Sequence, residues 1–265
     1  MQLVCDADVL PGGTANRGLV RRVGDTVHRP VGPYSGAVHQ LLRHLERSGF
    51  TGSPRVLGTR GQTEILSYID GRAACLPPPE WALTDDVLVT VARLLRTYHE
   101  HAVAFQPAND GWQRAVPARW RGSLITHNDT NPANVIFRDG AAVALIDFDL
   151  AAPGSIAWEL AIAGCFWAPL LDPRDVADSR HGHGIRRFRL LLDSYGASPD
   201  IRWNAAQAGA AANDWIAEII EDGSKQGHPW FTQTWTRTAA MYRRAHRWIE
   251  EHVDELAEYP KPEAT

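Results

Sequence analysis

An Asp-Gly pair between two short apolar runs is the feature that most constrains how this chain can fold. Asp139 and Gly140 separate the run Val-Ile-Phe from the run Ala-Val-Ala-Leu-Ile. Asp-Gly in this setting is a strong signal for a β-hairpin, because tight hairpin turns need positive φ at both central residues. A hairpin brings its two ends together. We therefore expect Asn134, just before it, and Asp147, just after it, to lie side by side.

The polar residues around this hairpin suit cation binding and proton transfer. Amide and carboxylate oxygens, as on Asn134 and Asp147, are ligands that Mg²⁺ accepts beside substrate phosphates. Asp129 precedes them on the same loop, and a carboxylate that does not hold the metal can accept the proton of an attacking hydroxyl. Phosphoryl transfer uses both functions. The alternative is a surface hairpin with solvated acids, but the order and spacing of the motif positions argue against chance.

The order of these residues resembles a known catalytic motif. His127, Asp129 and Asn134, followed by an Asp-Phe-Asp triplet that begins at Asp147, resemble the catalytic loop and metal motif of the protein-kinase-like fold. The segments HND-TNPAN and LIDFD are similar to the motifs of the aminoglycoside phosphotransferase and choline kinase branch of this fold. The resemblance implies that Asp129 is the catalytic base and that Asn134 and Asp147 bind Mg²⁺. It gives His127 a role in structuring the loop.

The resemblance covers nearly the whole chain and implies an α+β, bilobal protein-kinase-like fold. The residue pattern itself predicts a small antiparallel sheet with one helix first, and mostly helices later. We predict an N-lobe over 1–66 that binds the nucleotide, a hinge over 67–71, and a larger, mostly helical C-lobe over 72–265. Helices are predicted at 34–47, from Thr84 onward, and at 156–168, 184–195, 205–222 and 230–257.

The nucleotide-binding residues of the N-lobe follow from the resemblance. Gly12, Gly13 and Asn16 match a glycine turn whose backbone N–H groups can approach phosphate. A plain hairpin loop is the alternative interpretation of this turn. The family has a lysine on its third strand, but this chain has no lysine before Lys225, and Arg29 stands at the matching place. Arginine can hold phosphate in a bidentate manner, so the role can survive with a different geometry.

Further positions are assigned by the same resemblance. The family pairs its lysine with a helix glutamate, but the matching residue here is His39, which could equally be a surface helix residue. Ser67, Tyr68 and Ile69 resemble the hinge whose backbone meets the adenine, although a strand end would look the same. Glu159 stands where the family usually has an aspartate that supports the catalytic loop.

Composition limits the partners of the chain. Its 265 residues carry a net charge of −4, without the basic footprint of a nucleic-acid-binding protein. The longest apolar stretch, 156–171, contains Glu159 and Pro169 and is too short to span a membrane. The N-terminus lacks the pattern of a signal peptide, and the three cysteines are far apart. We therefore expect a cytoplasmic enzyme that uses Mg²⁺ and ATP, with GTP left open, and a small hydroxylated acceptor.

Candidate acceptor contacts lie in the C-terminal helices. Tryptophans there could stack on a ring, although most are expected to be packing residues; the candidates are Trp203, Trp215, Trp230 and Trp235. Four acids on one predicted helix either form its solvated face or help to hold an amine-bearing, cationic acceptor: Asp214, Glu218, Glu221 and Asp222.

Two other functions are weighed against a small-molecule kinase. The missing lysine and glutamate suggest a nucleotide-binding pseudokinase with little turnover, but the intact Asp129, Asn134 and Asp147 argue against it. A protein kinase is not expected, because after Asp149 the chain runs through Ala-Ala-Pro-Gly directly into a helix, without a recognisable activation segment.

Overall fold

The computed structural model describes residues 18–75, 77–107 and 111–258. Its first part is a four-stranded antiparallel sheet with strand order β1-β2-β4-β3. These strands are β1 (Arg21–Val23), β2 (Thr26–Pro30), β3 (Val56–Arg60) and β4 (Thr63–Ser67). One helix, α1 (Ser35–Arg47), lies between β2 and β3, and its apolar stripe is buried. The predicted small sheet with one helix is therefore confirmed.

Two smaller sheets follow and carry the predicted hairpin. Strand β7 (Val135–Arg138) pairs with β8 (Ala141–Leu145), and the short strand β5 (Arg72–Ala73) joins the other edge of β7. Strands β6 (Leu124–Thr126) and β9 (Ala152–Gly154) form a separate antiparallel pair. The predicted hinge at 67–71 begins at Ser67, the last residue of β4, and ends just before β5. The division into two lobes at this point stays a prediction.

Helices make up most of the later chain. They are α2 (Asp85–Ala102), α3 (Ile156–Trp167), α4 (Gly184–Tyr195), α5 (Pro199–Lys225), α6 (Pro229–Glu251) and α7 (Val253–Ala257). Thr84 caps α2 as predicted, because its hydroxyl accepts a hydrogen bond from the Val87 N–H. The predicted start of α5 was wrong by six residues, since Ser198 caps a longer helix that begins at Pro199. The single helix predicted at 230–257 is divided at His252, because the backbone angles of this residue (φ −116°, ψ 15°) are not helical.

Helix α3 lies inside the C-terminal part and supports the loops around the hairpin. It is apolar on nearly all faces, and Trp158 and Trp167 are among the largest fully buried side chains. Its one ionisable carboxylate, Glu159, is completely buried. Such a group must have partners, because an unpaired buried charge is very costly. No helix within the described ranges combines the length and the apolar character needed to cross a membrane.

Candidate active site

The β7–β8 hairpin brings Asn134 and Asp147 together as the sequence predicts. Val135 pairs with Leu145, and the Ile146 N–H donates to the Asn134 carbonyl oxygen over 2.9 Å. The strand ends next to the two predicted cation ligands are therefore fastened to each other. Asp147 itself has left-handed backbone angles (φ 62°, ψ 64°). A non-glycine residue in this conformation costs about 1–3 kcal/mol, and such residues cluster at functional sites.

Asp129 is held by the amides of two asparagines. Asn131 Nδ2 donates to Asp129 Oδ1 over 2.7 Å, and Asn134 Nδ2 donates to Asp129 Oδ2 over 2.7 Å. The pKa of Asp129 is raised to about 7, chiefly because burial disfavours the charged carboxylate; the two amides oppose this shift, and Asp147 and Asp149 add to it. A carboxylate whose pKa lies near neutrality is well suited to accept a proton at neutral pH.

The loop 127–134, here called the catalytic loop, is held by the buried carboxylate of Glu159. Both oxygens accept backbone hydrogen bonds, one from the His127 N–H and the other from the Asn128 N–H over 3.0 Å. His127 Nε2 lies 3.0 Å from the Ile146 carbonyl oxygen, which ties the loop to the hairpin. These contacts agree with the loop-supporting role expected for Glu159 and the structuring role expected for His127.

Removing the Glu159 carboxylate is expected to destabilise the protein. Glu159→Ala leaves two buried backbone donors without an acceptor, so we expect the free energy of unfolding to fall by about 2–5 kcal/mol. Urea unfolding followed by tryptophan fluorescence measures this change. Glu251→Ala, at an exposed position on α6, is the control and should change stability by less than about 0.5 kcal/mol. Equal stability of the two variants would contradict the structural role of Glu159.

Arg29 lies among three carboxylates. Its Nε donates to Glu64 Oε1 over 2.6 Å, its Nη1 to Asp147 Oδ1 over 2.8 Å, and its Nη2 to Asp149 Oδ1 over 2.6 Å. Burial by itself would lower the pKa of the guanidinium, but Asp149, Asp147 and Glu64 together raise it above its ordinary value. Arg29 therefore stays charged and connects β2 to the end of the hairpin, where the predicted cation ligands lie.

Glu64 is the partner of Arg29 that sequence reasoning missed. It is 1% exposed and stands directly opposite Arg29 in the β2–β4 register. Its second carboxylate oxygen contacts His39 Nε2 from α1. His39 is buried, so the alternative that it is a surface helix residue was wrong. The available signal was a single acid inside an otherwise uncharged strand, Thr-Glu-Ile-Leu-Ser.

Asp149, two residues after Asp147, also has a second partner. The Tyr34 hydroxyl, at the start of α1, donates to Asp149 Oδ2 over 2.9 Å. The pKa of Asp149 is raised to about 6 by burial and by Asp147, while Arg29 and Tyr34 oppose the shift. This side chain therefore joins α1, β2 and the hairpin end at one point.

The predicted hinge residues have part of their backbone already bonded within the first sheet. The Tyr68 N–H donates to the Asp25 carbonyl over 2.8 Å, and the Ser67 N–H donates to the Arg55 carbonyl over 2.9 Å. A nucleotide base would therefore have to meet the Ile69 backbone or the carbonyl groups of this segment. The predicted glycine turn lies outside the described residues: Gly12, Gly13 and Asn16.

The donors around the hairpin fit the chemistry of Mg²⁺. The Asn134 amide nitrogen is used by Asp129, which leaves the amide oxygen for a cation, and the Asp147 side chain is 18% exposed. Between residues 18 and 258, in the ranges the structure describes, no three His, Cys, Asp or Glu side chains form a metal site by themselves. Mg²⁺ usually takes one or two carboxylates together with substrate phosphates, so these donors suit a cation that arrives with a nucleotide.

The four acids considered for a cationic acceptor all have basic partners in this chain. The pairs are Asp214 with His246 at 2.8 Å, Glu218 and Asp222 with Arg114 at 2.9 Å each, and Glu221 with Lys225 at 3.0 Å. Trp215 is buried and donates to the Ala115 carbonyl over 3.2 Å, so it is a packing residue. The other tryptophans considered, Trp203, Trp230 and Trp235, are partly exposed.

Comparison with known proteins decides the family. Residues 106–192, which include the catalytic loop, the hairpin and Glu159, match the phosphotransferase enzyme family. The trifolitoxin immunity protein of Rhizobium leguminosarum bv. trifolii is 36% identical over 233 residues, which cover 83% of this chain and 84% of that protein. This chain belongs to the phosphotransferase enzyme family. The resemblance stated from the catalytic motif is thereby confirmed.

Solved structures show that this phosphotransferase has the predicted fold. A choline/ethanolamine kinase family protein from Mesorhizobium loti gives a TM-score of 0.62 at 13% identity, covering 95% of this chain and 92% of that one. The gentamicin complex of APH(2″)-IIa gives 0.60 at 14% identity, covering 91% and 93%. The streptomycin–ATP complex of APH(2″)-IIa gives 0.54 at 14% identity, covering 84% and 87%. The α+β, protein-kinase-like fold and the enzyme class, a phosphotransferase with an alcohol acceptor, are confirmed.

Proposed function

We propose that this phosphotransferase transfers the γ-phosphate of ATP to a hydroxyl group of a small molecule. The observation that carries the proposal is the placement of Asp129, whose pKa is raised to about 7, directly against Asn134 at one end of a hairpin whose other end is Asp147. A fold neighbour solved with ATP and streptomycin supports the choice of nucleotide. Because ATP is available in the cytoplasm, we place the reaction there.

In this proposal Asp129 is the general base. Its carboxylate takes the proton of the acceptor hydroxyl while the hydroxyl oxygen bonds to the γ-phosphorus and the bond between that phosphorus and ADP breaks. Asn131 and Asn134 each hold one carboxylate oxygen of Asp129. The base is therefore oriented before the acceptor arrives, which lowers the entropic part of the barrier.

The residues around Arg29 would bind the phosphates. A guanidinium contacts phosphate oxygens in a bidentate manner, and Arg29 presents Nη1 and Nη2 toward the hairpin end. Mg²⁺ would offset negative charge on the phosphates, and Asn134 and Asp147 would hold it. Glu64 keeps the guanidinium oriented through Nε, so orientation and phosphate binding would use different nitrogens of the Arg29 side chain.

The acceptor proposed here is a hydroxylated antimicrobial compound. The relative at 36% identity is named for immunity to a toxin, and phosphorylation of a toxin hydroxyl is a direct route to immunity. Since the four acids on α5 are already paired with basic side chains, a cationic acceptor would have to compete with these ion pairs.

A second candidate function is nucleotide binding with little turnover. The observation that favours it is the arginine at the lysine position, which engages the predicted cation ligand Asp147 directly. The intact Asp129 and its two amide partners favour an active enzyme. Calorimetry with Mg–ATP combined with an ADP-release assay separates the two: binding without transfer to any acceptor would support the binding protein.

A phosphate-transfer screen tests the proposed function. The purified protein is incubated with Mg²⁺ and ATP or GTP, and with a panel of peptide antibiotics, macrolides, aminoglycosides and small alcohols. Mass spectrometry detects a product heavier by one phosphate. We expect one compound class to be phosphorylated by the wild type and not by Asp129→Asn. A product formed equally by both proteins, or by neither, would contradict the proposed reaction.

A further inference from the structure

Glu64 and Arg29 are related by sheet geometry, not by helix packing. They lie directly opposite each other on β2 and β4, where Cβ atoms are about 4.5–5.5 Å apart. Nε is the guanidinium nitrogen nearest to the backbone, so a carboxylate on the adjacent strand can reach it. The two Nη nitrogens then point onward to Asp147 and Asp149. A lysine has a single terminal nitrogen, so all of its partners would have to converge on one atom, whereas the arginine separates them over three nitrogens.

His39 completes the surroundings of the Glu64 carboxylate. One carboxylate oxygen of Glu64 accepts from Arg29 and the other contacts His39 Nε2, so both oxygens of this buried group have partners. Burial would raise the pKa of Glu64, but the hydrogen bond from His39 and the charge of Arg29 lower it below its ordinary value. Glu64 is therefore ionised, and α1 reaches the site through a histidine instead of through a carboxylate.

We propose that Glu64 is the positioning residue of the nucleotide site and that His39 holds it in place. Glu64 fixes Arg29 through Nε, so that Nη1 and Nη2 stay at the hairpin end, where they bond Asp147 and Asp149 and where the nucleotide phosphates would bind. The carboxylate that the family pattern places on the helix has thus moved to the neighbouring strand, and a histidine fills the helix position. This inference rests on the proposed nucleotide binding, but it does not depend on which acceptor is used.

Calorimetric binding of two ligands tests the proposal. Glu64→Gln keeps the shape of the side chain but removes the charge, and we expect the Kd for Mg–ATP to rise about 10- to 100-fold, the range seen when a residue that orients a ligand-binding side chain is replaced. The Kd for adenosine, which has no phosphate, should stay within about twofold, because Glu64 acts through the phosphate-facing nitrogens. A purely structural role would weaken both ligands. Glu46→Gln, at an exposed position on α1, is the matched control.

A charge-relocation variant makes the test sharper. In Glu64→Gln combined with His39→Glu, the carboxylate returns to the helix, and we expect most of the lost Mg–ATP affinity to be recovered. Each protein is checked by its Tm. If Glu64→Gln does not fold, Glu64→Asp replaces it, because aspartate keeps the charge but withdraws it by one methylene. We then expect a smaller loss of Mg–ATP affinity, again without a loss of adenosine affinity.

Three results would overturn the proposal. They are unchanged Mg–ATP affinity in the folded Glu64 variant, equal weakening of adenosine and Mg–ATP, and a folded double variant no better than Glu64→Gln. Failure of the proposed function has a different signature. Wild-type protein that binds Mg–ATP but phosphorylates nothing in the acceptor screen would contradict the transfer reaction, and the binding comparison of the Glu64 variants would still decide the role of Glu64.

Discussion

Asp129→Asn is expected to lower kcat for phosphate transfer by about 10²–10⁴-fold, the usual contribution of a general base. Asparagine has nearly the same shape as aspartate, but its amide cannot take the proton of the acceptor hydroxyl. The affinity for ATP measured without Mg²⁺ should stay within about threefold, because Asp129 bonds Asn131 and Asn134, whereas the Arg29 guanidinium bonds other carboxylates. Steady-state kinetics gives the first quantity and calorimetry the second.

Asp139→Asn is the matched control for this variant. Asp139 lies at the exposed hairpin turn with φ 52°, a conformation that asparagine tolerates well. The control therefore removes one negative charge at the turn end of the same hairpin without changing the turn, and we expect wild-type kcat. If Asp129→Asn turned over as fast as this control, the general base would have to be another residue, and the mechanism proposed for the catalytic loop would be wrong.

Asp147→Asn is expected to remove the dependence of ATP binding on Mg²⁺. Replacing a residue that merely supports a metal ligand costs about 10–100-fold in metal affinity. A neutral amide oxygen is a weaker Mg²⁺ ligand than a charged carboxylate, so replacing the ligand Asp147 by asparagine should cost at least as much. Asparagine is the right replacement because it tolerates the left-handed backbone that Asp147 adopts (φ 62°), so the hairpin end should keep its shape. The amide oxygen of the asparagine can still accept from Arg29 Nη1, so the guanidinium should keep its position.

Titrations with ATP in the presence of Mg²⁺ and in the presence of a chelator measure this effect. Wild-type protein should bind ATP more tightly with Mg²⁺, whereas Asp147→Asn should bind it about equally in both conditions. The Asp139→Asn protein should behave like the wild type. A variant that keeps the full Mg²⁺ enhancement would show that Asp147 is not a cation ligand, and the cation would then have to be held by Asn134 with Asp149 or by other donors.

The parts of the fold that sequence predicted well are those governed by local patterns. The hairpin around Asp139 and Gly140 and the cap at Thr84 depend on residues close together in the chain, and the structure confirms both. Helix ends were less certain where several local signals compete. Helix α5 begins at Pro199, earlier than the apolar pattern of its residues predicts. His252 interrupts a helical periodicity that continues on both sides of this residue.

The pairing of Glu64 could not be predicted from local sequence patterns. Its strand, β4, was predicted. The prediction of a strand does not say which residue of the neighbouring strand lies opposite a given residue, because that depends on the register. The β2–β4 register places Glu64 opposite Arg29, and the packing of α1 then brings His39 to the other carboxylate oxygen. The acidic partner of Arg29 lies on the sheet, 35 residues away in sequence, and not on the helix where the family pattern places it.

The amino-acid sequence alone determined the identity of the reactive groups and their local arrangement, since the order of Asp129, Asn134 and Asp147 around a tight turn follows from residue types at short separations. Only the tertiary structure decided which charged side chains pair with one another. Arg29, Glu64 and Asp149 come from three separate segments, and their pairing depends on strand register and helix packing. These long-range contacts form only when the whole chain folds, so no short stretch of sequence encodes them.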